Sequence, residues 1–148
     1  MTARIALMTA AALMIGSPTL AKSGPTDAEI AHIAYTAGNI DIDAAKLALA
    51  RSKNTAVREF AKTMVRDHEA VNGKALALVK KLKVTPQSNG TSDALMKQAK
   101  EAKNRLSKLK GAAFDRAYAK NEVAYHGTVN GALKTTLIPS ANNGELKS

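Results

Sequence analysis

Four side chains interrupt apolar helical stripes in this sequence with groups that can bind protons or metal ions: Asp41, His68, Glu122 and His126. Asp41 follows Ala37 by four positions and precedes Ala44 by three, so its carboxylate occupies a place where a core side chain is expected. His68 stands in the same way between Met64 and Val71, and Glu122 and His126, four apart, share a helix face. Packed together, two carboxylates and two imidazoles form a ligand set suited to iron, manganese or zinc. The plainer expectation is a buried polar network, hydrogen-bonded across helices and fixing their register, because each unpaired member would cost a few kcal/mol, about 1–3 by mutational scales. Asp67 reads as a surface partner of a Lys or Arg, and His32 as exposed on the polar side of its helix.

The elements that carry these residues are helices throughout. Thr26-Asp27-Ala28-Glu29 reads as a capping box opening a first helix that runs to about Arg51. Asn54 caps a second helix, from Thr55 to about Lys83, with Val57, Phe60, Met64, His68, Val71 and Leu78 along one stripe. Thr85 to Gly90 is a loop, containing Pro86 and an Asn-Gly pair. Beyond it a helix capped by Thr91 or Ser92 is expected to end at Gly111, and another to run from about Ala112 to Thr135, closed by Pro139. Short connections favour antiparallel neighbours, which makes an all-α, up-and-down bundle. Two long helices and a third segment interrupted near Gly111 supply three walls. Residues 145–148 read as the first turn of a fourth helix that is largely missing, leaving an apolar stripe for a second copy to cover as a homodimer.

Lys97, Lys100, Lys103, Arg105, Lys108 and Lys110 lie close together, with Leu95, Ala99, Ala102, Leu106 and Leu109 on the opposite side. This basic amphipathic helix suits anionic envelope lipid or lipopolysaccharide, although a charge block on a helix is commonly just its solvated face. Formal net charge is +10, with 22 Lys+Arg against 12 Asp+Glu. A specific nucleic-acid partner is not expected, since three Tyr, two Phe and no Trp leave little for base stacking.

The N-terminus reads as an export signal. Arg4 is the only charged residue before Lys22, residues 5–15 are apolar apart from Thr9, and Thr19-Leu20-Ala21 places small residues where a signal peptidase reads, with cleavage after Ala21. Eleven such residues, 5–15, fall short of the roughly 20 that span a bilayer. The expected organisation is a signal peptide over 1–21 and one helical domain over 22–148, delivered to the periplasm or secreted. With no Cys, disulfides, iron–sulfur clusters and thiolate nucleophiles are excluded, and stability in an oxidising compartment must come from packing.

The string from Phe60 to His68, with Asn72 beyond it, resembles the signature of an exported bacterial family catalogued as domain of unknown function 4142. Gly38 to Leu49, Gly111 to Tyr118 continuing to His126, and Thr136-Leu137-Ile138-Pro139 fit the same family in order. The resemblance implies a ferritin-like four-helix bundle and no settled activity. A ferritin-type di-iron centre needs Glu-x-x-His pairs, and here Val65 and Val123 stand where those Glu residues would be. No nucleophile elbow, P-loop or dinucleotide fingerprint occurs. The expected function is a non-enzymatic envelope binding or stress-related protein without a cofactor. The alternative is a metal-binding ferritin-like protein or a degenerate metal-dependent oxidoreductase using Asp41, His68, Glu122 and His126.

Overall fold

The structure, a computed structural model, describes residues 24–148; the signal peptide expected over 1–21 and its cleavage point lie outside the described residues. Every regular element among them is helical: α1 (Asp27–Arg51), α2 (Thr55–Lys81), α3 (Gly90–Leu106), α4 (Gly111–Ala132), a π-helical turn (Leu133–Leu137), α5 (Ile138–Ser140) and α6 (Gly144–Lys147). None of these helices is long and apolar enough to cross a membrane.

Local chemistry accounts for the first boundaries. Thr26 and Glu29 form the capping box reciprocally, and the Asn54 side chain accepts from the Val57 N–H to start α2. The start of α3 differs from expectation. Asn89, rather than Thr91 or Ser92, is the cap, because its side-chain oxygen accepts from both the Thr91 and Ser92 N–H groups while Ser92 Oγ accepts from the Asn89 N–H. Helix α3 also stops at Leu106, so Lys108 and Lys110 lie on the connection and not on the basic helix. The chain restarts at Gly111 with φ +54, a left-handed value that glycine adopts without steric penalty. The segment read as one interrupted wall is therefore two helices reversing across residues 107–110.

Cross-helix contacts set the topology. Asn39 meets Asn72, Asp41 meets His68, and Leu49 meets Arg58, so α2 runs antiparallel to α1. Ala37 pairs with Tyr125 while Arg51 reaches Leu109, so α4 is antiparallel to α1 as well. Asn89 reaches Glu29 at one end and Arg51 reaches Ser107 at the other, which makes α3 parallel to α1. The result is an up-down-up-down bundle in which α1 packs against α2, α3 and α4.

The central position of α1 explains its composition. Ile30, Ile33, Ala37, Ile42, Ala45 and Ala48 are all buried, and the alanines let neighbouring helices approach closely. One core cluster joins Ala45, Ala48, Ala61, Leu106, Phe114 and Tyr118; the other, at the opposite end, joins Ile30, Ile33, Leu137 and Ala141. The second cluster depends on the C-terminal segment. Contrary to expectation, Pro139 does not end the helix there. Ile138 N–H reaches back five residues to the Leu133 carbonyl, and this wider turn carries the chain into α5 with Pro139 in its first turn, where a missing N–H is tolerated.

Candidate metal centre between α1, α2 and α4

Asp41 sits midway along α1, only 3% exposed. Its Oδ2 lies 3.3 Å from His68 Nε2 on α2 and 3.9 Å from His126 Nε2 on α4. The two imidazole centroids are 6.0 Å apart, and one ligand atom from each of the three residues falls within 4.8 Å of the others. Three of the four residues singled out from the sequence thus converge from three helices. The side chains of His68 and His126 are 25% and 34% exposed, so solvent reaches the cluster from the imidazole side.

His126 is held by its own helix. Its Nδ1 lies 2.9 Å from the Glu122 carbonyl oxygen, one turn back, and since a carbonyl only accepts, Nδ1 must be the donor. The opposite nitrogen, Nε2, is the one turned to Asp41. A backbone carbonyl fixing one imidazole nitrogen leaves the other, here Nε2, free to act as a metal ligand.

Glu122 does not join the ligand set that the sequence suggested. It is buried beside that set, where Asn121 Nδ2 donates to its Oε1 at 3.3 Å and its Oε2 has no partner. Asp41 Oδ1 is buried without a partner too. Burial pushes the Glu122 carboxyl up to about 7, with the Asp41 charge adding to the effect and the Asn121 amide opposing it. Burial also raises Asp41, against the pull of His126 and His68. A proton on Glu122 makes the two carboxyls donor and acceptor; with both ionised they repel.

Two tyrosines, Tyr118 and Tyr125, complete the surroundings, and neither is among the candidate site residues of the sequence. Tyr118 is 1% exposed and its hydroxyl has no partner; Tyr125 donates to the Ala37 carbonyl oxygen at 3.1 Å. Burial, followed by the charges of Glu122 and Asp41, drives both phenols well above their ordinary range. A hydroxyl four residues before Glu122 and another one before His126 were the available signals. Gly38 and Asn72 bring α1 and α2 close below the site: a Cβ at Gly38 would sit 2.3 Å from Asn72 Oδ1.

The remaining residues fall elsewhere. Asp67 pairs with Arg66 at 2.7 Å, as expected of a surface acid. His32 is half-buried, not exposed, with Nδ1 3.5 Å from Thr36 Oγ1. Lys97, Lys100, Lys103, Arg105, Lys108 and Lys110 are all exposed, and among the described residues none of them forms an ion pair. Lys100, Lys103 and Arg105 border a groove of about 530 Å³ between α1, α3 and α4.

The model of a family described as Domain of unknown function (DUF4142) matches residues 14–148, which takes in every helix above. The chain belongs to the DUF4142 family. No curated protein and no solved structure matches it. The DUF4142 match covers Asp41, His68, Glu122 and His126 alike, and its description assigns no activity.

Proposed function

We propose that this protein is an exported, non-enzymatic helical bundle that binds one divalent transition-metal ion through Asp41, His68 and His126. The observation carrying this reading is the buried Asp41 carboxylate, one oxygen of which faces two imidazole nitrogens from different helices. His126 Nε2, with Nδ1 already donating, meets Asp41 Oδ2 lone pair to lone pair unless a cation lies between them. Either a proton or a metal ion meets that need. Two imidazoles and one carboxylate match the donor preference of zinc, manganese and iron(II).

The spacing supports the same reading. Ligands of a tetrahedral zinc ion, at bonds of about 2.0 Å, lie about 3.3 Å apart. Asp41 and His68 already stand at that separation, Asp41 and His126 are 3.9 Å apart, and one ligand atom from each of the three lies within 4.8 Å of the others. Three protein ligands leave a coordination position open toward solvent. The support for a binding role over catalysis is the lack of any nucleophile motif and of the paired Glu-x-x-His pattern in the sequence.

Export rests on the charge and apolar pattern of residues 1–21, and the compartment proposed is the periplasm or the exterior. In that setting the unpaired cations of α3 suit the anionic head groups of the envelope surface. The metal reading is tested by metal analysis of purified full-length chain after exposure to zinc, manganese or iron(II) and dialysis. About one ion per chain, lost in His68→Ala, is the expected result; no uptake by the wild type overturns it.

A further inference from the structure

A second cavity reaches one member of the same centre, His126. It runs between α2 and α4, has a volume of about 530 Å³, and is walled by Val57, Phe60 and Met64 from one helix and Tyr118 and Val123 from the other. Its ionisable lining at the far end is Glu122 and His126. Because α2 and α4 both run antiparallel to α1, they are parallel to each other, so the walls from Ala56 to Met64 and from Tyr118 to His126 advance in the same direction. They arrive at His68 and His126 together. The groove therefore starts apolar and ends at the imidazole that faces Asp41.

Its dimensions suit a small molecule. A volume of this size falls within the roughly 300–1,000 Å³ common for ligand pockets. The nine residues from Ala56 to Met64 cover about 12 Å of helix, the reach of a medium-length alkyl chain. At the rim, Phe60 is 41% and Val123 76% exposed, leaving large apolar side chains in water along the groove. Tyr118 forms the floor, edge-on to Phe60 at 6.2 Å between centroids.

We propose that this groove binds an elongated apolar molecule with a carboxylate head, its chain along Phe60, Met64 and Val123 and its head on the open coordination side of an ion held by Asp41, His68 and His126. The inference rests on the metal reading above and adds the ligand class to it. The polarity of the groove makes the argument. With a divalent ion bound, the groove is apolar along its length and positively charged at its His126 end, which complements a molecule apolar at one end and anionic at the other. A simple hydrocarbon leaves the open coordination position to water, and a small carboxylate leaves Phe60 and Val123 exposed.

The test is titration of decanoate into zinc-loaded and zinc-free full-length chain, with decanol and acetate as controls and zinc stoichiometry measured separately. One decanoate per zinc-loaded chain is expected, with affinity at least about tenfold weaker without zinc and for either control. Val123→Asp, at an exposed position, should lose decanoate and keep zinc; Ala119→Phe, which fills the same groove from another exposed position, should do likewise. Zinc uptake without decanoate binding overturns this inference and leaves the metal reading standing. Decanoate binding that is indifferent to zinc, or unchanged in both variants, overturns it as well. A dimer that dissociates in Val123→Asp, with no decanoate bound, gives the groove to a second copy. Absence of zinc uptake removes both readings.

Discussion

Asp41 Oδ2 lies 3.3 Å from His68 Nε2, joining α1 to α2 at the middle of the bundle. The acid is buried and the imidazole partly open, so the contact holds a charge inside while keeping one side reachable. His126 faces the same carboxylate oxygen from α4. The proposed ion would sit between this carboxylate and the two imidazoles, and the first predictions test that assignment.

Replacing Asp41 by Asn keeps the shape and removes the only anionic ligand. Zinc uptake should fall at least about tenfold, and His126→Ala should do the same, since each residue supplies one of three ligands. Equilibrium dialysis against zinc reads both. Asp67→Asn, at an exposed acid paired to Arg66, should leave uptake unchanged; equal loss in all three would refute the assignment.

The metal-free protein should lose stability as pH rises from about 4.5 to about 7. Glu122 titrates near 4.5 in the unfolded chain and at about 7 in the fold. Across that window the native state retains a proton the unfolded state has released, so the native state is favoured below the window and the advantage is gone above it. The size is on the order of 3 kcal/mol, and the raised Asp41 acts in the same direction. Urea unfolding at several pH values measures this, and Glu122→Gln should flatten most of the slope.

Gly38→Ala should destabilise even though alanine is the better helix former. The new methyl would lie 2.3 Å from Asn72 Oδ1 on the facing helix, and Asn72 is itself buried and donates to Asn39. A loss of about 1–3 kcal/mol is expected from overpacking, against a propensity gain of about 1 kcal/mol. Thermal melts followed by circular dichroism would show it. Gly73→Ala, with nothing near the added carbon, should be neutral or stabilising.

Tyr118→Phe should cost little. The hydroxyl is buried without a partner, so its removal relieves a desolvated group while the ring keeps its stacking on Phe114 at 6.1 Å. Phe114→Ala, by contrast, empties a fully buried position and should cost about 3–5 kcal/mol. Comparable losses in both would mean that the hydroxyl has a role in the native state.

Binding to anionic vesicles should depend on Lys97, Lys100, Lys103 and Arg105 together and fall steeply with salt. Each exposed cation near such a surface contributes about 1 kcal/mol at low ionic strength. Co-sedimentation with the quadruple Gln variant checks it. Lys108 and Lys110, on the connection after α3, should matter less; retention of binding by the quadruple variant would show that the helix face is not the surface used.

The helices were legible in the sequence because their signals are local. Thr26 and Glu29 cap α1 from three residues apart, and Asn54 caps α2 through the N–H of Val57. Asp41, His68 and His126 could be singled out for the same reason, since a polar residue on an apolar stripe is visible at spacings of three and four. Their convergence was not visible. It depends on the rotation of α2 and α4 about α1, set by packing between residues such as Gly38 and Asn72 that lie far apart in the chain. The same distant packing put Glu122 beside the ligand set, left the Tyr118 hydroxyl without a partner, and opened the groove toward His126. Periodicity identifies which face of a helix is buried, while only the contacts between helices determine which buried groups meet.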